Sequence, residues 1–110
     1  MRKTWTVAMG ASSGWRISLP VELQTAKEWD GVSHLHLRPK SAKESQMVFG
    51  VTEATGGPGL FVPLVARPAG STFRRFSVPM TIIDMLGLEG RGAAEWKIDG
   101  ANVTLTIRRL

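Results

Sequence analysis

The sequence predicts a single mostly β domain with two short helices, built from two tandem repeats. Three observations carry this. Apolar and polar residues alternate over short runs, as Trp5, Val7 and Met9 do against Thr4, Thr6 and Ala8, which is the period of a half-buried strand. Glycine, proline or Asp-Gly punctuates each run, so no element grows long. Residues 12–31 also slide without a gap onto residues 71–90, bringing Ser12, Arg16, Ser18, Pro20 and Gly31 onto Ser71, Arg75, Ser77, Pro79 and Gly90. Self-similarity of this kind marks a duplicated supersecondary unit.

Taken in order, residues 4–9 form the first strand and Gly10 to Gly14 break it. Trp15 to Leu19 alternate again, with Ile17 and Leu19 inward and Arg16 and Ser18 outward, and Pro20 opens a short helix that Asp30-Gly31 stops. Leu35 and Leu37 supply the inner face of the next strand, Pro39 to Gln46 read as a polar loop, and Met47, Phe49 and Val51 carry the return. Leu60 to Ala66 then take the place of the first strand, with Leu64 matching Trp5. Arg75 to Pro79 alternate as a strand. Ile82, Ile83 and Leu86 make a one-sided apolar stripe, and Gly87 is the left-handed stop. Ala94, Trp96 and Ile98 face one way and Glu95, Lys97 and Asp99 the other. Asp99-Gly100 signals a hairpin, and Val103, Leu105 and Ile107 return.

The overlay also keeps the apolar pattern, since Ile17, Leu19, Val21 and Leu23 meet Phe76, Val78, Met80 and Ile82. After an insertion in the first hairpin loop, Met47, Phe49 and Val51 meet Val103, Leu105 and Ile107. The repeats are therefore residues 1–51 and 60–110, joined by a linker over 52–59 whose TEATGGPG sequence favours turns. A unit of about fifty residues with three or four short strands cannot close its own core, so the two must share one.

Composition narrows the function. With 110 residues, 43% of them hydrophobic, the chain can bury one modest core. It has no cysteine, which excludes disulfides, thiolate metal sites and cysteine nucleophiles and makes cytoplasmic residence the expectation. No apolar run approaches a membrane span, and MRKTWTV lacks the apolar core of a signal peptide. Fourteen Lys and Arg against nine Asp and Glu give a net charge of +5, which favours an anionic partner.

The order of the second unit is a strand with R-x-x-x-P, a short helix ending in LGL, an acidic-Gly turn and a hairpin around DG. Carried by Arg75, Val78, Pro79, Leu86, Gly87, Leu88 and Gly90, it resembles the AbrB/MazE/SpoVT superfamily of swapped-hairpin DNA-binding domains. The resemblance implies a closed, interleaved swapped-hairpin β-barrel with pseudo-two-fold symmetry, made by one chain in place of a homodimer. The tandem arrangement is similar to that of the MraZ family, without its acidic-arginine signature in each repeat.

In the families it resembles, DNA is met by arginines on the loop and strand before the proline and by arginines in the following helix. The first set is present as Arg16 and Arg75, with Arg74 beside it. The second is absent, because the helix positions hold Gln24, Thr25, Ile83 and Asp84, none of which replaces arginine against phosphate. Arg2, Lys3 and Arg67 are further candidates near the same end. The competing reading of Arg16, Arg75, Arg2, Lys3 and Arg67 is a set of solvated cations that keep a small barrel soluble.

Other chemistry finds little support. His34 and His36 alternate with Leu35 and Leu37, so both are expected on the outer strand face. There, Glu95 is the one further ligand the pattern offers, too few for a metal site. TGGPG lacks the Lys and helix of a phosphate loop, and no nucleophile elbow or paired carboxylates stand out, so neither an enzyme nor a cofactor is expected. Trp5, Trp29 and Trp96 fall on apolar faces and read as core, whereas Trp15 reads as more exposed. The expected function is double-stranded DNA binding by a transcriptional regulator, as a monomeric pseudo-dimer or weak homodimer. The alternative is a protein-interaction module on the same barrel, antitoxin-like or structural, without DNA binding. The last predicted strand runs almost to Leu110, which leaves no toxin-blocking tail.

Overall fold

The computed structural model describes residues 2–20, 22–23, 32–43, 45–53, 59–66, 74–100 and 102–109, without the side chains of residues 2, 3, 13 and 53. Strands hold 67% of the described residues. They are β1 (Arg2–Gly10), β2 (Arg16–Ser18), β3 (His34–Lys43), β4 (Gln46–Glu53), β5 (Leu60–Pro63), β6 (Val65–Ala66), β7 (Arg74–Ser77), β8 (Arg91–Asp99) and β9 (Asn102–Arg109). A 3-10 turn at Ala11–Ser13 follows β1, and one α-helix, α1 (Met80–Leu86), follows β7.

A six-stranded antiparallel sheet of order β1-β8-β9-β4-β3-β5 curls into a half-barrel, and a three-stranded sheet of order β2-β7-β6 complements it. The chain's first strand pairs with β8 of the C-terminal hairpin, whereas β5 crosses back to β3 of the N-terminal hairpin. The hairpins meet along β4 and β9, where Phe49 lies opposite Leu105. In the smaller sheet Ile17 lies opposite Phe76.

The concave face of the large sheet holds the core because alternate positions on its strands are apolar. Leu35, Leu37, Met47, Phe49, Val51, Ala94, Trp96, Val103, Leu105 and Ile107 are buried there, and Ile17, Leu19, Phe76, Val78, Ile82 and Leu86 join them from the small sheet and α1. Each fully buried Leu, Ile or Phe contributes about 1.5–3 kcal/mol in transfer free energy. Trp96 ties the two layers. Its ring meets Phe76 edge-on at 6.2 Å, and its Nε1–H donates to the Ser18 carbonyl at 3.2 Å.

The helix α1 begins after Pro79, whose φ of −58° suits helix entry and whose carbonyl accepts from Ile82 N at 3.0 Å. It ends at Gly87 in the left-handed conformation, φ 60° and ψ 41°. Leu88 N then reaches back to the Ile83 carbonyl at 3.0 Å, closing the last turn as left-handed stops do. Of the expected first helix, Glu22 and Leu23 are helical and the remainder lies outside the described residues. Trp29 lies outside them as well.

Several expectations are corrected. The polar stretch from Pro39 is no loop: β3 continues to Lys43, with a bulge between Pro39 and Ser41 that accommodates a residue without an N–H. Every residue from Arg38 to Lys43 is exposed, so no alternation announces the strand. The hairpin that Asp99-Gly100 signals does form, with Asp99 still paired to Asn102 at its end. Gly100 takes the positive φ of 61° that the turn requires. The run from Leu60 to Ala66 splits at Leu64 into β5 of the large sheet and β6 of the small one, and β4 reaches Glu53, inside the expected linker. Trp5 is half-buried, as is Trp15, whose φ of 54° is left-handed.

His36 also departs from expectation. It is 2% exposed although it belongs to the outer face, because Phe61 stacks on it at 4.5 Å and 6°. Gly59, at φ +134°, lies so close that a Cβ there would fall 2.5 Å from His36 Nε2 and 2.7 Å from the Leu37 carbonyl oxygen. Gly59→Ala is therefore expected to lower stability by about 2 kcal/mol or more, combining an unfavourable φ with a clash against ladder backbone. Urea unfolding monitored by circular dichroism measures it; an unchanged midpoint would contradict this packing.

Candidate nucleic-acid interface

The site is built on the ladder between β2 and β7, where Arg16 lies opposite Ser77 and Arg75 opposite Ser18. With Ile17 and Phe76 turned into the core, the alternation of the strand sends Arg16, Ser18, Arg75 and Ser77 to the other face. Arg16 and Arg75 are diagonal neighbours on that face, about 7–8 Å apart along the ladder. Strand β6 extends it by placing Val65 opposite Arg75.

Between these side chains lies an open hollow of about 150 Å³, lined by Arg16, Pro63, Val65, Arg75, Phe76 and Ser77. Arg16 is exposed, and its guanidinium passes beside Gly14, whose added Cβ would lie 3.6 Å from Nε. Arg75 is half-buried against its neighbours. Two arginines and a serine that line one hollow are side chains with donors suited to a phosphate or carboxylate.

The other expected site residues are placed differently. Arg74, one position from Arg75, leaves the ladder on the core side, and its Nη1 donates to the Val32 carbonyl at 2.9 Å. That bond staples β7 to the segment entering β3. Arg2 and Lys3 pair in β1 with Asp99 and Ile98, at the opposite end of the strand from Gly10, whose carbonyl accepts from Trp15 at the approach to β2. Arg67 lies outside the described residues. Of the helix positions, Ile83 is half-buried and Asp84 exposed on α1.

Sequence reasoning missed Pro63, Val65 and Ser77 as lining residues. Ser77 could have been found, since the overlay already places it on Ser18. It also missed two arginines with structural work. Arg109 Nη1 lies 3.5 Å from the Leu86 carbonyl at the end of α1, and Arg108 pairs with Glu95 at 3.6 Å on the outer sheet face. Glu95, considered above as a third metal ligand, therefore faces an arginine. His34 contacts the Ser33 hydroxyl at 3.0 Å, and no group of three potential metal ligands occurs among the described residues. No helix among them is long and apolar enough to cross a membrane. Compared with protein-family models, curated proteins and solved structures, the chain matches none.

Proposed function

We propose that the chain is a double-stranded DNA-binding protein, a transcriptional regulator that grips the phosphate backbone with Arg16 and Arg75. The observation that carries the reading is their placement by the β2–β7 ladder on one face, around one hollow. A net charge of +5 supplies the longer-range attraction to DNA. Because both arginines line the same hollow, they engage one short stretch of backbone, which positions the protein on a duplex and leaves sequence readout to neighbouring residues.

The same proposal takes the two halves as tandem repeats exchanging strands, in the manner of the AbrB/MazE/SpoVT superfamily. Two ladders support it. The overlay equates Ile17 with Phe76 and Phe49 with Leu105, and these are the residues found opposite one another, as a two-fold axis through both pairs requires. The order β1-β8-β9-β4-β3-β5 likewise reads the same from either edge once β1 is equated with β5, β8 with β3 and β9 with β4. Residues 60–110 alone leave β5, β7 and β9 without the N-terminal strands they pair with. That fragment is expected to be unfolded or to dimerise. A stably folded monomer by sedimentation and circular dichroism contradicts the exchange.

The functional test is a titration of labelled duplex fragments at two salt concentrations. Binding that weakens steeply with salt supports the proposal, and no binding at the lower salt overturns it. The exposed Met80 and Met85 on α1 and Phe61 and Val65 on β5 and β6 favour a second reading, a protein-interaction module. That reading predicts salt-insensitive capture of a protein and no retardation of duplex.

A further inference from the structure

We propose that β1 is a docking edge for a second copy of this chain, which pairs antiparallel with it about Thr6 and extends the large sheet across a two-fold axis. This stands independently of whether the arginine hollow binds DNA.

The two edges of the large sheet differ. Strand β5 is four residues long and ends in Pro63, a short, proline-terminated edge of the kind that discourages further pairing. Strand β1 spans nine residues, contains no proline, and carries no charge from Thr4 to Gly10. Among the described residues its ladder partner is β8 alone.

Hydrogen-bond alternation fixes which backbone groups face outward. The Ala11 N–H donates to the Gly90 carbonyl, on the β8 side, whereas the Gly10 carbonyl turns the other way to accept from Trp15. Following that alternation back along an antiparallel ladder, Trp5, Val7 and Met9 bond to β8 and the N–H and C=O groups of Thr4, Thr6 and Ala8 point to the open edge.

A second copy meets those groups in a self-complementary register. Pairing about Thr6 sets Thr4 against Ala8 of the mate and Thr6 against Thr6, allowing about six N–H···O bonds. Trp5 then lies beside Val7 of the mate on the concave side, and both are half-buried at the edge, so pairing covers apolar surface still in contact with water. Arg2 and Lys3 fall opposite Gly10 and Met9 of the mate, so like charges are not brought face to face. An interface this small predicts a dissociation constant on the order of 10 μM.

The test uses the full chain. Sedimentation at about 100 μM is expected to show the wild type predominantly dimeric. Thr6 is exposed in the monomer, and the two copies of it meet on the axis. Thr6→Lys and Thr6→Glu, each checked by circular dichroism for native strand content, are therefore expected to weaken self-association at least tenfold. Their equimolar mixture should recover a heterodimer. Because the chain has no cysteine, Thr6→Cys gives a second readout. It should form a disulfide-linked dimer under mild oxidation much faster than Thr104→Cys in the interior strand β9. A wild type that is monomeric at that concentration, or a dimer unaffected by either charged variant, overturns the proposal. So does equal cross-linking of the two cysteine variants. Capture of a foreign extended peptide by an otherwise monomeric chain overturns it too, by assigning the edge to another partner.

Discussion

Trp96→Ala is expected to destabilise the protein by about 3–5 kcal/mol, the cost typical of deleting a fully buried large aromatic. Trp96 is 0% exposed. It lies opposite Trp5 on one side of β8 and Leu105 on the other, and across the core it meets Phe76. Truncation opens a cavity between the sheets and also leaves the Ser18 carbonyl without its indole donor. Single domains have roughly 5–15 kcal/mol of total stability, so this loss is a large fraction of it. Trp96→Phe separates the two contributions: it keeps most of the buried ring and loses the hydrogen bond, with an expected cost of about 1–2 kcal/mol. Urea unfolding by far-UV circular dichroism measures both. An alanine variant that unfolds within 1 kcal/mol of wild type would mean that the two sheets do not share this core.

The sequence made the strands legible wherever one face is buried and the other wet. Trp5, Val7 and Met9, or Val103, Leu105 and Ile107, alternate because a single side of their sheet meets the core, and the period survives in the letters. It failed where that asymmetry disappears. Arg38 to Lys43 project to solvent on both sides, so their strand is held by backbone pairing with β4 and its composition reads as loop. His36 failed for the opposite reason, since an outer-face residue was covered from above by Phe61 and the backbone of Gly59, a tertiary contact without local signature. At the site, the overlay marked Arg16 and Arg75 because the same residue recurs at the same place in each half. Arg74 was grouped with them by adjacency, yet one residue along a strand reverses the face, and the chain uses that arginine to hold Val32. Pro63 and Val65 reach the hollow through a strand that changes sheets at Leu64, a break no periodicity encodes.

Replacing Arg16 and Arg75 together by alanine is expected to reduce affinity for duplex DNA about 50- to 100-fold near 0.1 M salt, with about tenfold from each alone. The estimate follows from counterion release. Each arginine neutralising one phosphate adds roughly 0.9 to the slope of log K against log salt, so the double variant should lose about 1.8 from that slope on every sequence tested. A base-gripping role gives a different signature. If one arginine takes a guanine, its loss costs about 1–3 kcal/mol on the preferred site and far less elsewhere, and the specificity ratio falls with the affinity. Folding should be little disturbed, because Arg16 is exposed and any polar residue keeps that strand face wet. Half-buried Arg75 lies beside Val65, where lost packing of its stem adds a small penalty, so Arg75→Ala should cost about 0.5–1 kcal/mol and Arg16→Ala about 0.5 or less. Lys97→Ala supplies the control for net charge, since this exposed cation on β8 does not line the hollow and its removal should leave the slope nearly unchanged. Binding isotherms for the two single variants, the double variant and the control, each across a salt series, separate these cases. Equal affinities for wild type and double variant on all duplexes would remove the arginine hollow from DNA recognition.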